Sequence, residues 1–287
     1  MIVTDSGLHV WQASTPERPW DTSRAHVKDP ISYEDLRVRM ADAGVDRAVL
    51  VPPSFAGARN DYSLEAAAKY PRQFAVMASV PLNKPEGRQI LEDLKGQPGF
   101  LGVRLTFHHE KDESWVRDGT ADWFWPVAER MNIAVMMNAP TNHKEIGEVA
   151  QRHPGLRLIF DHMGVKSAKD DKLLGALGKL MEIAKHPNIY VKLTLAPICS
   201  SEPYPYRNIH PYLKWLIDAF TPRRCFWGSD VSSLLRRSKG TYREAVTMFT
   251  EEMDFLSKED LEWTMGRALA ECLPWPVDAK LMSGKAA

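Results

Sequence analysis

The chain has 287 residues, 44% of them apolar and 26% charged, with 37 basic residues against 37 acidic ones and a formal net charge of zero. That length and apolar content suffice for one large core, and the even charge balance gives nothing to recruit nucleic acid or an anionic membrane. Three cysteines, Cys199, Cys225 and Cys272, are odd in number and far apart, which excludes a disulfide framework and a Cys-x-x-Cys metal site and points to a reducing interior.

Apolar runs alternate with helical patterns along almost the whole chain. The N-terminal MIVTDSGLHVW lacks a basic segment followed by an apolar run, and no stretch approaches the roughly 18 apolar residues of a membrane helix. A soluble, cytoplasmic protein is expected. The predicted strands are LHVW (8–11), RAVLV (47–51), FAVMASV (74–80), FLGVRL (100–105), IAVMM (133–137), LRLIF (156–160), IYVKL (189–193) and RCFWG (224–228). Between them, SYEDLRVRMADAG (32–44) reads as a helix with Ser32 as N-cap and Gly44 as C-cap. EGRQILEDLKG, ADWFWPVAERMN, HKEIGEVAQRH, KLLGALGKLMEIAKH and IHPYLKWLIDAF follow the same plan.

Buried strands alternating with helices imply parallel strands joined by crossovers. Eight such units in this length predict a single (β/α)8 TIM barrel over residues 1–287, and no Gly-x-Gly-x-x-Gly follows a strand to suggest a dinucleotide fold. The tail VDAKLMSGKAA (277–287) reads as a frayed end. Two segments, 12–31 and 195–209, are too long to be simple connections. As loops that follow strands they are expected to wall a pocket, with Tyr204, Tyr206 and Arg207 as contacts in the second.

The functional signal lies at the strand ends. Asp5 and His9 flank the first strand, Arg104 ends the fourth, Asn138 the fifth, His162 the sixth and Asp230 the eighth, while Lys192 lies in the seventh. In a barrel these groups converge on one face, and buried charges are costly unless paired or used. His108 follows the fourth strand closely enough to reach that face. Asn60 and Tyr62, in FAGARNDY after the second strand, are secondary candidates; Asn60 reads equally as a helix cap. His143, His153, His186 and His210 read as helix-surface residues, Arg236 and Arg237 as surface charges near the mouth, and His26 as a loop residue.

DSGLHVW, GVDRAVLVPPSFAGARNDY, FLGVRL, HPGLRLIFDHMG, HPNIYVKLTL, RRCFWGSD and MGRALAECL, in that order, resemble the amidohydrolase superfamily. The likeness is to its amidohydrolase-2 type lactonases of the 2-pyrone-4,6-dicarboxylate lactonase kind. The resemblance implies a first-strand Asp-x-His-x-His motif whose histidines bind a divalent metal, completed by the strand-six histidine and the strand-eight aspartate. Here His9, His162 and Asp230 match three of those positions, Gly7 occupies the first-histidine position, and Asn138 stands where many relatives have a strand-five ligand.

Gly7 has no ligand atom in its side chain, so the reading is a metal-free site; the other possibility is one divalent cation, Zn or Mn, held by His9, His162 and Asp230. The resemblance implies lactone opening, with Asp230 activating water and burial raising its pKa towards the working pH. His9 and His162 would hydrogen-bond the carbonyl oxygen. Arg104, Lys192 and Arg207 would bind a small anionic substrate, with Tyr62, His108 and Asn138 as further contacts. Two readings compete with this one: a metal-dependent decarboxylase of aromatic or unsaturated acids, and a non-catalytic binder. Pairing into a homo-oligomer stays open.

Overall fold

The computed structural model describes residues 1–57, 59–237, 239–273 and 275. Eight parallel strands pair in chain order: β1 (Thr4–Leu8), β2 (Arg47–Leu50), β3 (Phe74–Ala78), β4 (Phe100–Thr106), β5 (Ala134–Asn138), β6 (Leu158–Phe160), β7 (Ile189–Leu193) and β8 (Cys225–Trp227). Outside them run α1 (Tyr33–Ala43), α2 (Asp61–Lys69), α3 (Gly87–Lys95), α4 (Phe124–Arg130), α5 (His143–Arg152), α6 (Lys172–Ile183), α7 (His210–Phe220), α8 (Val231–Arg236) and α9 (Tyr242–Thr250), with α10 (Lys258–Glu262) and α11 (Ala268–Cys272) near the end. Each helix returns the chain over the outside, so every strand lands beside the previous one, as a (β/α)8 barrel requires. Among the described residues no helix is long and apolar enough to cross a membrane.

The two ends of the sheet meet through a buried carboxylate. Asp5 of β1 accepts the Ser229 amide at 3.1 Å, the Ser229 hydroxyl at 2.5 Å and the Tyr242 hydroxyl at 3.0 Å, joining the exit of β8 and the start of α9 to the first strand. Burial pushes the Asp5 carboxyl up to about 6, and the Ser229 and Gly7 hydrogen bonds hold it from rising further.

Apolar side chains fill the barrel interior: Val49 and Val51, Ala75 and Met77, Ala134 and Met136, Ile159 and Phe226. Trp263, Leu269 and Trp275 pack against this cluster. Because side chains alternate along a strand, Tyr190 and Lys192 share the inward face of β7, as Gly102 and Arg104 share that of β4. The core therefore ends upward in charged residues.

Seven predicted strands match the observed ones within a few residues, but the first lies four residues earlier than predicted. Thr4–Leu8 forms the strand although it includes Asp5 and Ser6, both fully buried. Asp5 serves as a hydrogen-bonding centre inside the barrel wall, which an apolar-run reading cannot detect. His143 and His210, read as surface residues, are buried; each places Nε2 on a backbone carbonyl, Gly164 at 2.9 Å and Pro205 at 2.8 Å. A hydrogen-bonded imidazole joins a core at little cost. Residues 276–287, which include the expected frayed tail, lie outside the described residues.

Candidate active site

A cavity of about 250 Å³ opens at the C-terminal ends of the strands. His9, Arg104, His108, Asn138, His162 and Asp230 all line it. Both long loops contribute to its wall, His26 from 12–31 and Leu195 from 195–209. Lys166, Arg236 and Arg237 add positive charge at its rim. Three wall residues and one neighbour adopt left-handed backbone conformations that a side chain disfavours: His162 at φ 54°, Leu195 at 62° and Asp230 at 48°, with Met163 beside His162 at 55°. Each costs about 1–3 kcal/mol, and they gather at the ends of β6, β7 and β8, the kind of place where functional sites hold strained backbone.

The hydrogen bonds fix what the histidines offer. His9 Nδ1 lies 2.7 Å from the Val51 carbonyl oxygen, which can only accept, so Nδ1 carries the hydrogen. Burial lowers the His9 pKa, the ring is neutral, and Nε2 presents a lone pair 3.8 Å from Asp230 Oδ1. The role expected for His9, donating to a carbonyl oxygen, is therefore unavailable to the neutral ring. His26 Nδ1 lies 2.8 Å from Ser232 Oγ, whose single hydrogen goes to Asp230 Oδ1 at 3.3 Å. His26 Nδ1 is thus the donor, and its Nε2 is again a lone pair. Burial drops His26 to about 4. His162, brought to about 4 by burial, is held by Thr194 Oγ1, 2.8 Å from Nδ1 and 3.0 Å from the His162 amide.

Asp230 starts α8, and Ser233 Oγ donates to its Oδ2 at 2.9 Å. Burial alone would raise its pKa, as expected from the sequence. The neighbouring histidines and the Ser233 hydroxyl outweigh burial and hold the carboxyl below its ordinary value. Asp230 is an ionised and weak base.

A second layer lies beneath. Asp161, next to His162, pairs with Lys192 Nζ at 2.9 Å and with Arg104 Nε at 2.9 Å, all three nearly buried. Burial pushes the Asp161 carboxyl up, but Lys192 and Arg104 overcome it and hold it well below the carboxylate range. Arg104 Nη1 also donates to Thr106 Oγ1 at 2.6 Å, leaving Nη2 without a partner among the described residues at the cavity wall. Lys192, expected to bind substrate, does not line the cavity; its ammonium serves Asp161 and sits beside Gly7. A Cβ built on Gly7 would overlap Lys192 Nζ. The place where a first-strand histidine would begin belongs to the lysine.

Two further candidates lie elsewhere. Arg207 is exposed and pairs with Glu252 at 2.6 Å, and Tyr62 packs on Tyr33, ring centroids 4.9 Å apart, in a separate shallow cleft with Trp11 and Trp20. Asn60 stands at the N-cap position of α2, but its side chain makes no capping hydrogen bond: its amide brackets the backbone of Ser79, donating at 2.9 Å and accepting at 2.7 Å. Sequence reasoning missed His26, Asp161 and Lys166. Asp161 was legible as a charge beside His162 in an apolar run, whereas nothing in loop spacing singles out His26 or Lys166.

A TIM barrel with imidazoles and an aspartate gathered at the C-terminal ends of its strands has its candidate active site where barrel enzymes carry theirs. A family model described as "Amidohydrolase" matches residues 4–277, and the chain belongs to that family. It is 26% identical over 237 residues to an L-fucono-1,5-lactonase of Burkholderia ambifaria, covering 79% of both chains. It is 24% identical over 234 residues to a 4-sulfomuconolactone hydrolase of Hydrogenophaga intermedia, covering 79% of this chain and 73% of that one. The fold matches a crystal structure of a Burkholderia multivorans amidohydrolase with bound Zn at a TM-score of 0.80 and 20% identity, over 96% of this chain and 100% of the other.

Proposed function

We propose that the protein hydrolyses a small carboxylated lactone to the open hydroxy acid. The observation that carries this reading is the composition of one cavity: an ionised aspartate and lone-pair imidazoles at its floor, with Arg104, Lys166, Arg236 and Arg237 around it. Guanidinium groups match a carboxylate's geometry, so the basic side selects an anion and orients it. The two relatives named for lactones supply the bond type.

In the reaction, the oxygen of water bonds to the lactone carbonyl carbon while one of its protons passes to the Asp230 carboxylate. The ring C–O bond then breaks, and the departing alkoxide takes that proton from Asp230 to become the hydroxyl of the product. Ser233 holds Asp230 in place by its 2.9 Å hydrogen bond, and the Val51 carbonyl holds His9 by its 2.7 Å contact. Arg104, braced by Asp161 and Thr106, keeps the substrate's carboxylate from rotating.

The amidohydrolase fold also implies a divalent cation, and the donor set fits one. His9 Nε2 and Asp230 Oδ1 are two acceptors 3.8 Å apart. A cation held by His9 and Asp230 would polarise the carbonyl and acidify the attacking water, which matches a base as weak as Asp230. The metal-free chemistry read from Gly7 used His9 and His162 as hydrogen-bond donors, and the bond to Val51 removes that role from His9.

The test is a panel of lactones with and without a ring carboxylate, followed by acid release at constant pH. Carboxylated lactones are expected to exceed uncharged ones in kcat/KM by at least about tenfold, the worth of one modest charge-assisted contact. Release of CO₂ from aromatic acids with no lactone opened would overturn the reading.

A further inference from the structure

We infer that His26, carried by the long loop between β1 and α1, takes over the ligand role lost at Gly7, so that His9, His26 and Asp230 form a site for one divalent transition-metal ion. Each of the three offers a ligand atom, and these atoms all lie within 4.8 Å of one another. Two ligands of a tetrahedral zinc stand roughly 3.3 Å apart, so the 3.8 Å between His9 Nε2 and Asp230 Oδ1 needs only a small contraction.

The hydrogen bonds point the same way. His9 gives its Nδ1 hydrogen to Val51, which leaves its Nε2 as a bare acceptor 3.8 Å from Asp230 Oδ1, and His26 gives its own Nδ1 hydrogen to Ser232, which leaves its Nε2 with a free lone pair. Metal-binding histidines are anchored in this manner, by the ring nitrogen that does not bind. Three converging acceptors repel one another unless a cation lies among them. Two imidazoles and a carboxylate, with a face left open, suit zinc or ferrous iron better than magnesium or calcium.

The first-strand position is closed to the usual ligand. Any side chain at Gly7 would meet the Lys192 ammonium, which Asp161 holds at 2.9 Å. The third ligand must therefore come from another element, and the loop 12–31 brings one. The ion would tie that loop to the barrel, so cation binding and closure of this wall are one event.

The experiment uses chelator-treated full-length protein titrated with Zn²⁺, and with Co²⁺ for its visible absorption. The wild type is expected to take up one equivalent of either ion, with trypsin cleavage within 12–31 slowed by zinc. His26→Ala should weaken zinc binding by more than about 100-fold, beyond the 10–100-fold that loss of a merely supporting residue costs, and should shift the cobalt spectrum. His162→Ala should lose less than His26→Ala. Three outcomes would overturn the inference: no uptake by the wild type, wild-type affinity in His26→Ala, or a larger loss in His162→Ala. The inference rests on the same cavity as the proposed reaction but on no particular substrate. Cation uptake is measured apart from lactone turnover, so either can fail alone.

Discussion

Asp161 carries the basic side of the site, although it does not line the cavity itself. Its two oxygens hold one cation each, Lys192 on one side and Arg104 on the other. Removing one partner of a buried ion pair strands the remaining charge, at a cost of about 3–5 kcal/mol. Lys192→Met, close in volume, leaves Asp161 with Arg104 as its remaining partner and is therefore expected to lower the unfolding free energy in urea by up to that amount. Gly7→Ala should also destabilise the protein, because its Cβ enters the space of a pinned ammonium. The two effects are not independent: with Met at 192 the pinned charge is gone, so the double variant should cost less than the sum of the single ones. Strict additivity in that cycle would show that Gly7 and Lys192 do not share this space. Asp230 behaves differently. Asn at 230 keeps an acceptor for the Ser233 hydroxyl but cannot take a proton, so kcat should fall by about 10²–10⁴ with the unfolding midpoint little changed. Unchanged kcat in Asp230→Asn would remove the base from the proposed reaction.

At the scale of elements, local chemistry decided what the sequence could show. The cap of α1 was readable because it is written in consecutive residues: Ser32 Oγ accepts the Asp35 amide, and Gly44 takes φ 79°. The order of strands followed from alternating apolar runs, and the residues at the ends of β5, β6 and β8 followed from the barrel itself. β1 was misplaced because its one charged residue, Asp5, is satisfied by partners more than 200 positions away, Ser229 and Tyr242. His26 was invisible for the same reason, since a loop residue gains meaning only from where the fold delivers it. The α9 helix shows how far such long-range partners reach. Thr241 and Glu244 form a capping box at its start, and the next residue, Tyr242, donates to Asp5. Thr241→Ala should cost about 1 kcal/mol, the usual worth of an N-cap, read as a lower melting temperature. A loss confined to the helix would leave the environment of Asp5 unchanged. A loss that also loosens the β8–β1 seam should increase hydrogen exchange at the Ser229 amide.

For the whole molecule, the buried titratable groups set how stability responds to acid. His9, His26 and His162 are all held below the unfolded value of 6.5 by burial, His26 and His162 at about 4. Between those values the unfolded chain binds more protons than the folded one, so lowering the pH favours unfolding. The loss begins near 6.5 and runs down to about 4. Asp161 and Asp230, depressed below 3.8, extend the loss to still lower pH. Asp5 works in the opposite direction: raised from 3.8 to about 6, it binds a proton first in the folded state and favours folding as pH falls through that window. Asp112 is raised by burial too, but His108, His143, His186 and His210 are lowered by burial alongside the other three, so the net slope is set by the histidines. In chelator-treated protein the melting temperature should hold steady above about pH 7 and decline continuously from there to about pH 4. His26→Ala removes one of these imidazoles and should make that decline shallower. Added zinc should raise the curve at neutral pH and lose its effect in acid, because protons and the cation compete for the same imidazole nitrogens. A decline equally steep in His26→Ala would show that His26 is not held neutral in the folded protein.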